Sequence, residues 1–413
     1  FRATYSYKDT YLVEGNLGYT GSENFNKERR YGWFPSISGG WVPTQYDWYR
    51  NLLPFNNFLK FRASWGRVGN DRLKDENGND IRFPYLTTLG NVSSTWGTGL
   101  AENRTGSMNL KWEVSTKTNF GIDARFFDDK VDMTVDFFHT KTTDIFQRRA
   151  NIPDEGGLSN VLPYANIGSM KSWGMDGTLA YTHTFNKDMA LTVRGNFTHA
   201  ENEVIYWEQS GVNYPYQSNS GVPYKVQRGL IALGLFKDED DIKSSPKQTF
   251  MDNYRPGDIK YKDVNGDGKI DKDDVVPLNY SAVPFIQYGF ALDWNYKAFR
   301  VSILFEGVSK VQYFQGGRGF YPFLNESRGN LLEMVADPRN RWIPREYAEV
   351  NGIDPALAEN PNAKFPRLTY GENKNNNQES TFWLADGKYL RLKNVDVSYR
   401  FTNNWLKSRV GVE

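Results

Sequence analysis

The sequence has no cysteine, no long apolar run and almost no net charge, and each absence excludes a class of protein. Without cysteine, the chain has no disulfide framework, thiolate zinc site or cysteine nucleophile. No stretch approaches the roughly 18 consecutive apolar residues of a transmembrane helix. Lys and Arg number 50 against 49 Asp and Glu, so the charge gives no support to a nucleic-acid-binding function.

Aromatic side chains, by contrast, are abundant. The 25 Tyr, 27 Phe and 12 Trp make up 15% of the 413 residues. A large β-sheet core uses many aromatic residues, and so does a membrane barrel with aromatic girdles at both interfaces. The composition leaves both classes open, and the pattern along the chain has to decide between them.

Residues 118–146 show the clearest local pattern, in which two amphipathic strands are joined by Asp128, Asp129 and Lys130. Apolar residues occupy every second position on both sides of this turn, and polar residues occupy most of the others. The apolar positions are Phe120, Ile122, Ala124, Phe126, Val131, Met133, Val135 and Phe137. Ordinary strands have about five or six residues, so alternation over this length favours a membrane-spanning hairpin.

The same pattern recurs along the chain and predicts about twelve antiparallel strands. They cover residues 1–7, 11–19, 36–42, 59–67, 112–127, 130–146, 172–185, 189–205, 287–296, 299–310, 389–401 and 408–412. Very short turns close the hairpins at one end, and long loops connect them at the other. The predicted long loops are residues 68–107, 148–167, 208–284 and 312–386.

This asymmetry predicts an all-β fold, a transmembrane antiparallel barrel with short periplasmic turns and long extracellular loops. A helical turn is expected at residues 45–52, and segment 208–284 is too long to lack structure of its own. We expect residues 1–413 to form a single, partial barrel domain, because about twelve strands of this kind leave two unpaired edges.

Residues 263–274 have the spacing of a twelve-residue calcium loop. The predicted ligands are Asp263, Asn265, Asp267, the backbone carbonyl of Lys269, Asp271 and Asp274. Gly268 allows the sharp turn, and Asp274 stands where an EF-hand has a longer, bidentate Glu. The flanking residues favour extended structure over helices. The alternative is a solvated Asn-Gly and Asp-Gly turn without metal, and both interpretations stay open.

No catalytic site is predicted, and we expect the protein not to be an enzyme. His139, His183 and His199 lie in or at the end of predicted strands, without a metal-ligand or nucleophile companion. No segment singles out a glycosidase-like carboxylate pair.

Ten aromatic residues lie in or beside the predicted extracellular loops. They are Tyr206, Trp207, Tyr214, Tyr216, Tyr224, Tyr313, Phe314, Phe320, Tyr321 and Phe323. Exposed rings can stack on sugar rings or peptide side chains, but they also pack loops against one another. We expect packing for most of these residues and ligand contact for a few.

Several segments resemble one family, and they follow its order over nearly the whole chain. They are residues 33–41 (WFPSISGGW), 59–70 (LKFRASWGRVGN), 109–113 (NLKWE), 121–123 (GID), 141–145 (KTTDI), 166–176 (NIGSMKSWGMD), 256–261 (PGDIKY) and 382–395 (FWLADGKYLRLKNV). Together they resemble the SusC/RagA-like TonB-dependent transporters of the Bacteroidota outer membrane. Trp173 and Asp176 stand where the family pattern has Asn and Glu.

The resemblance implies a plugged barrel of about 22 strands, of which this chain is roughly the second half. It also implies import of glycans or peptides, with a SusD-like surface lipoprotein as a lid and the TonB complex acting through the missing N-terminal region. Outer-membrane lipid is a further expected partner, and nucleic acid is not. One rival is a secreted, calcium-stabilised β-domain that binds or cleaves polysaccharide. Another is a passive porin or adhesin barrel.

Overall fold

The computed structural model describes residues 1–75, 77–95, 97–153, 161–321, 323 and 331–401. Within these ranges one sheet of eleven strands runs in sequence order, each strand antiparallel to the next. The strands are β1 Arg2–Tyr7, β2 Tyr11–Gly21, β3 Tyr31–Trp41, β4 Asn56–Asn70, β5 Glu113–Phe126, β6 Val131–Arg148, β7 Tyr164–Asn186, β8 Met189–Tyr206, β9 Ile286–Tyr296, β10 Phe299–Ser309 and β11 Tyr389–Tyr399. The predicted all-β fold is confirmed.

The register of β5 and β6 keeps the two predicted faces apart. Phe120 lies opposite Phe137, and Ile122 lies opposite Val135. Because side chains alternate along a strand, the polar residues between them form the other face. β7 has 23 residues, which is longer than the roughly 9–11 residues that cross a bilayer, so it extends beyond the hydrocarbon layer.

The turn between β5 and β6 is as tight as its sequence indicates. Phe127, Asp128 and Asp129 have φ values of 57°, 56° and 60°, and this left-handed region suits Asp better than most residues. The side-chain carbonyl of Asn57 accepts the backbone N–H of Asp128 at 2.8 Å. This turn and those at residues 8–10, 187–188 and 297–298 define the short-turn end of the sheet.

One connection at this end is longer than the others. It contains a 3-10 turn at Pro43–Gln45 and helix α1 at Asp47–Leu52, so the predicted helical turn is confirmed. The remaining helices are α2 Glu239–Lys243, α3 Glu333–Ala336 and α4 Arg345–Val350. In the part of the chain that the structure describes, none of the helices is long and apolar enough to cross a membrane.

The predicted starts of two strands, β3 and β7, are wrong. β3 begins at Tyr31 and not at residue 36, although it contains Pro35, which cannot donate a hydrogen bond to a neighbouring strand. Pro35 is tolerated because it pairs only with Leu17 of β2, and pairing with β4 starts one residue later, at Ser36. β7 begins at Tyr164, inside the predicted loop 148–167.

The predicted loop 68–107 is not structureless, since strands Thr88–Ser94 and Gly97–Arg104 pair as a hairpin. Gly and Asn residues hid its weak alternation. The predicted strand 408–412 and the Asp154–Gly157 part of loop 148–167 lie outside the described residues.

The two longest connections, called loop A (residues 207–285) and loop B (residues 310–388), fold locally, as expected for segment 208–284. Loop A contains strands Val226–Gly229, Ala232–Leu235, Lys247–Gln248, Ile259–Tyr261, Lys269–Ile270 and Val276–Ser281, and 3-10 turns Pro215–Gln217 and Lys272–Asp274. Loop B contains strands Gln312–Phe314 and Leu384–Asp386 and the 3-10 turn Pro355–Leu357.

The largest apolar core lies in these loops and not against the sheet. Its buried residues are Leu230, Leu235, Ile259, Tyr261 and Ile270 of loop A, and Tyr321, Val335, Trp342, Ala363, Phe365 and Trp383 of loop B. Since both loops supply side chains to one core, they form a single folded body, called the loop unit.

Candidate functional site: a two-faced wall and a loop unit

One face of the sheet is apolar and exposed. Phe120 is 44% exposed, its cross-strand partner Phe137 is 46% exposed, and Leu179 on β7 is 53% exposed. Large apolar side chains continue this face on β8 and β9. A contiguous apolar surface of this kind is unfavourable in water and is stable in contact with the hydrocarbon of a membrane.

The opposite face carries ion pairs that link neighbouring strands. Arg62 of β4 contacts Asp123 of β5 at 2.8 Å and Asp136 of β6 at 2.9 Å. The arginine crosses β5 at Gly121, where an added Cβ would stand 2.7 Å from the guanidinium carbon. The glycine thus opens the path that lets one arginine bridge two carboxylates on separate strands.

A second cluster lies nearer the short-turn end of the same wall. The carboxylate of Asp293 on β9 accepts from Arg194 of β8 at 2.6 Å and from Arg300 of β10 at 3.1 Å. The Asp293 side chain is only 6% exposed. Because buried charges are stable only when paired, these contacts fix the positions of three adjacent strands.

Further pairs occur towards the long-loop end. Glu306 on β10 lies 2.6 Å from Lys393 and 3.5 Å from Arg391 on β11. The face that sequence alternation predicts to be polar therefore carries linked ion pairs, as expected for the wall of a polar lumen.

The loop unit is held together by a buried carboxylate. Asp258, in the PGDIKY segment of loop A, is fully buried. Its oxygens accept from Asn373 at 2.9 Å and from Asn376 at 2.8 Å, and the Arg367 guanidinium donates at 2.9 Å. All three partners belong to loop B, so this one carboxylate joins the two loops.

The residues after Asp258 extend the same junction. The backbone N–H of Ile259 donates to the side chain of Asn376 at 2.9 Å, and the Ile259 carbonyl accepts from Asn375 at 2.9 Å. The Tyr261 hydroxyl donates to the Asn375 carbonyl at 2.8 Å. Burial raises the pKa of Tyr261, so this hydroxyl keeps its proton and remains a donor.

A glycine brings the two loops into close contact. Gly257 has φ +86°, and an added Cβ would stand 2.3 Å from the indole ring of Trp342 in loop B. Only glycine satisfies both the left-handed backbone and this approach. The sequence signalled PGDIKY as a family segment but could not reveal that it is a junction between loops.

The calcium-like loop adopts a compact turn in which side chains accept from the backbone. Asp263 accepts the N–H groups of Gly266 at 2.6 Å and Gly268 at 2.9 Å. Asn265 accepts from Asp267 at 3.0 Å, and Asp267 accepts from Lys269 at 3.0 Å. The chain turns through positive φ at Gly266 and Gly268, as the motif predicts.

The remaining predicted ligands have other partners. Asp274 is fully buried and accepts the N–H groups of Val264 and Asp271 at 2.7 and 2.9 Å. The Asp273 N–H and the Lys269 ammonium, 3.1 Å away, lower the pKa of Asp271. Lys269 also lies 3.6 Å from Asp267.

The donor chemistry of the loop suits a hard cation, since carboxylate, amide and carbonyl oxygens are calcium ligands and each retains a free lone pair. The positions of these oxygen ligands are less favourable for binding a metal ion. Across the described ranges, no group of three or more His, Asp or Glu side chains is placed to hold a metal ion together. A cation would have to displace the Lys269 ammonium from between Asp267 and Asp271.

The calcium-like loop is attached to residues 213–217 of loop A. The Tyr216 hydroxyl donates to the Asp273 carbonyl at 2.6 Å, and Gln217 donates to the Asp273 carboxylate at 3.1 Å. Asn265 donates to the Tyr214 hydroxyl at 3.2 Å. Tyr214 and Tyr216 stack with ring centroids 5.4 Å apart, so they brace this loop.

The other loop aromatics divide into packed and exposed residues. Tyr321 belongs to the core of the loop unit, Phe314 and Phe320 pack against it, and burial raises the pKa of Tyr321 to about 12. The rings of Phe323 and Tyr370 lie 6.3 Å apart in a tilted arrangement, while Tyr206 and Tyr313 are 47% and 49% exposed. Trp207 and Tyr224 lie 5.9 Å apart beside a cavity of about 880 Å³.

These features define a class of protein, the membrane-spanning antiparallel β-barrels. The sheet forms part of the barrel wall, with a polar inner face and folded loops at one end. The chain belongs to the TonB dependent receptor-like, beta-barrel family, whose profile matches residues 1–413. It is accordingly an outer-membrane protein.

Similar proteins are much longer than this chain. TonB-dependent receptor P26 of Formosa agariphila is 27% identical, over 96% of this chain and 38% of that receptor. TonB-dependent receptor SusC of Bacteroides thetaiotaomicron is 23% identical, over 98% of this chain and 38% of that receptor. The chain spans about two-fifths of the length of these relatives.

The fold also matches a solved structure. The RagAB peptide transporter superimposes with a TM-score of 0.71 at 22% identity, over 98% of this chain and 41% of that chain. The expected SusC/RagA-like barrel is thereby confirmed as the fold.

Proposed function

We propose that this chain is part of an active importer that carries glycans or peptides across the outer membrane. The two-faced sheet carries the proposal: its apolar face suits lipid, and its ion-paired face suits an aqueous passage. Since the chain spans about two-fifths of its relatives, transport is an activity of the whole protein. The TonB complex would energise it through a segment outside this chain.

The proposed surface partner is a SusD-like lipoprotein lid. The loop unit supports this partner. Because its two loops share one apolar core, they present a single defined surface to a binding protein, which independent loops would not do. Val350 and Tyr370 of loop B are each 85% exposed, and exposed apolar side chains on a rigid body suit contact with another protein. Loop B would then be part of the docking surface.

Trp207 and Tyr224 are the aromatic residues best placed to meet substrate. The cavity beside them also carries Arg148, Glu208 and Lys225. Its volume of about 880 Å³ lies within the roughly 300–1,000 Å³ typical of ligand sites. The structural relative is a peptide transporter, and glycan and peptide are the two substrate classes of the proposal.

We also propose calcium as a bound cofactor of loop 263–274. Asp263, Asn265, Asp267 and the Lys269 carbonyl would hold the ion, with Asp271 taking part once the Lys269 ammonium has moved, and Asp274 bracing the ends of the loop. Calcium would stabilise the contact with residues 213–217. No transport step depends on the ion in this proposal.

Uptake of labelled oligosaccharides and peptides by cells that carry the intact protein and its neighbouring lipoprotein tests import. We expect uptake of one substrate class that is lost when TonB is deleted or the proton gradient is collapsed. Gradient-independent uptake would instead indicate a passive porin. Recovery of the protein as a soluble species in the medium would indicate a secreted domain.

A further inference from the structure

The connection between β3 and β4, residues 42–55, differs from the other connections at the short-turn end. The others in the described ranges are tight turns, whereas this one contains α1. Barrel strands of this kind need only short turns on the periplasmic side. The additional residues therefore need a role other than closing the hairpin.

This connection folds towards the apolar face of the sheet. The Tyr46 hydroxyl donates to the Tyr11 hydroxyl at 2.7 Å, and Tyr11 is 48% exposed on the same face of β2 as Val13. At the other end, Phe55 stacks on Phe126 and Phe127 with centroid distances of 6.4 and 5.6 Å. Both ends therefore join a row of aromatic residues at the edge of the apolar face.

Helix α1 is fixed to the sheet on one side only. Tyr49 is buried, and its hydroxyl accepts from Asn56 at 3.2 Å. The Arg50 guanidinium donates to the Thr44 carbonyl at 2.6 Å, which closes the segment on itself. These contacts hold the helix in one orientation.

In that orientation the helix presents an apolar pair away from the protein. Trp48 and Leu52 are four residues apart and so lie on the same side of the helix. They are 57% and 67% exposed. Asp47, Arg50 and Asn51 are exposed polar positions of the same helix.

We propose that α1 is an interfacial anchor that inserts Trp48 and Leu52 into the periplasmic leaflet of the outer membrane. The apolar pair continues the lipid-facing surface of the sheet through Tyr46 and Phe55, which identifies lipid as the occupant. Trp is enriched where hydrocarbon meets headgroups. A helix of this kind buries its apolar side about 5–10 Å into that boundary.

The test uses the full-length transporter reconstituted in vesicles, with any cysteines outside this chain replaced. An environment-sensitive fluorophore is attached to L52C or, as the matched control on the same helix, to N51C. A third variant, V350C, reports an exposed apolar position on loop B. Resistance of each labelled barrel to cold detergent confirms that it is folded.

Lipids with a nitroxide at the headgroup or at a shallow acyl position serve as quenchers. We expect at least about twofold stronger quenching at position 52 than at positions 51 and 350, and a blue-shifted emission at position 52 only. Quenching at position 52 no stronger than at position 51 overturns the proposal, whether both labels are quenched or neither is. The readout does not involve transport, so it can fail while import is confirmed.

Discussion

Asp258 of loop A and Asn376 of loop B are in direct contact, with the Asn376 amide donating to the buried carboxylate at 2.8 Å. The same carboxylate pairs with Arg367 of loop B. Side chains 118 positions apart in the sequence thus meet at one point of the junction between the two loops. A ligand or partner that binds either loop therefore acts on the loop unit as a whole.

Replacing Asp258 by Asn should loosen the loop unit and leave the wall intact. The change keeps the shape but leaves Arg367, which is 15% exposed, without its counter-ion. Breaking a buried pair in this way costs about 3–5 kcal/mol. Hydrogen exchange on the full-length protein should show faster exchange at residues 257–262 and 373–377, with the strands unchanged.

D240N is the matched control for this variant, because Asp240 is 91% exposed in its pair with Lys243 and exposed pairs contribute about 0–1 kcal/mol. Equal exchange in D258N and D240N would contradict the role assigned to Asp258.

Gly257→Ala should separate loop A from Trp342. Gly257 and Gly371 have φ values of +86° and +87°, but an added Cβ at Gly371 meets nothing within 4 Å. G257A and G371A therefore carry the same backbone strain, and their difference isolates the contact with the indole ring. We expect G257A to be less stable than G371A by about 1–3 kcal/mol, measured as protease susceptibility of loop B. Equal protease susceptibility of G257A and G371A would show that the Trp342 ring can move away from the added methyl group.

Arg62→Ala should weaken the wall by leaving Asp123 and Asp136 unpaired on neighbouring strands. Arg62 is 32% exposed, which limits the expected loss of unfolding free energy to roughly 1–3 kcal/mol. Thermal unfolding of the detergent-solubilised full-length barrel measures this loss of stability. R125A is the control, because Arg125 and Asp132 form a longer pair at 3.4 Å with both side chains over half exposed. A loss in R125A as large as that in R62A would contradict the bridging role.

Calcium removal should release residues 213–217 from loop 263–274. At a hundredfold excess over its dissociation constant, an ion stabilises the state that binds it by about 2.7 kcal/mol. A chelator should therefore lower the melting temperature of the loop unit and speed hydrogen exchange at Tyr214 and Tyr216. The D263A/D267A double variant should melt at the lower temperature with or without chelator. Insensitivity of the unsubstituted protein to chelator would favour the metal-free turn.

The wall was largely predictable from sequence because alternation over long strands is a strong local signal. Strand existence and order within the described residues followed from it, and so did the tight turn at Asp128 and Asp129. The predicted strand boundaries were wrong where the local composition conflicts with the observed strand pairing, as at Pro35 and Tyr164. Contacts between strands also impose constraints that no local pattern reveals. At Gly174, for example, an added Cβ would stand 2.0 Å from the His199 carbonyl of the next strand.

The loop unit was not predictable in the same way. Its core and its hydrogen bonds join residues more than a hundred positions apart, such as Asp258 and Asn376. Asn373, Asn375 and Asn376 sit in an Asn-rich stretch that reads as an exposed turn, yet all three side chains are buried. A family segment such as PGDIKY marks that a position matters, but only the fold shows which contact it makes.

Spin labels on β6 of the full-length protein in membranes test most directly whether this sheet separates lipid from a polar passage. Labels placed one at a time at Met133, Thr134, Val135 and Phe137 are compared for collision with oxygen, which concentrates in lipid, and with a water-soluble nickel complex. We expect high oxygen accessibility at 133, 135 and 137 and low accessibility at 134. Uniform accessibility along the strand, or nickel accessibility at 135 and 137, would contradict the assignment.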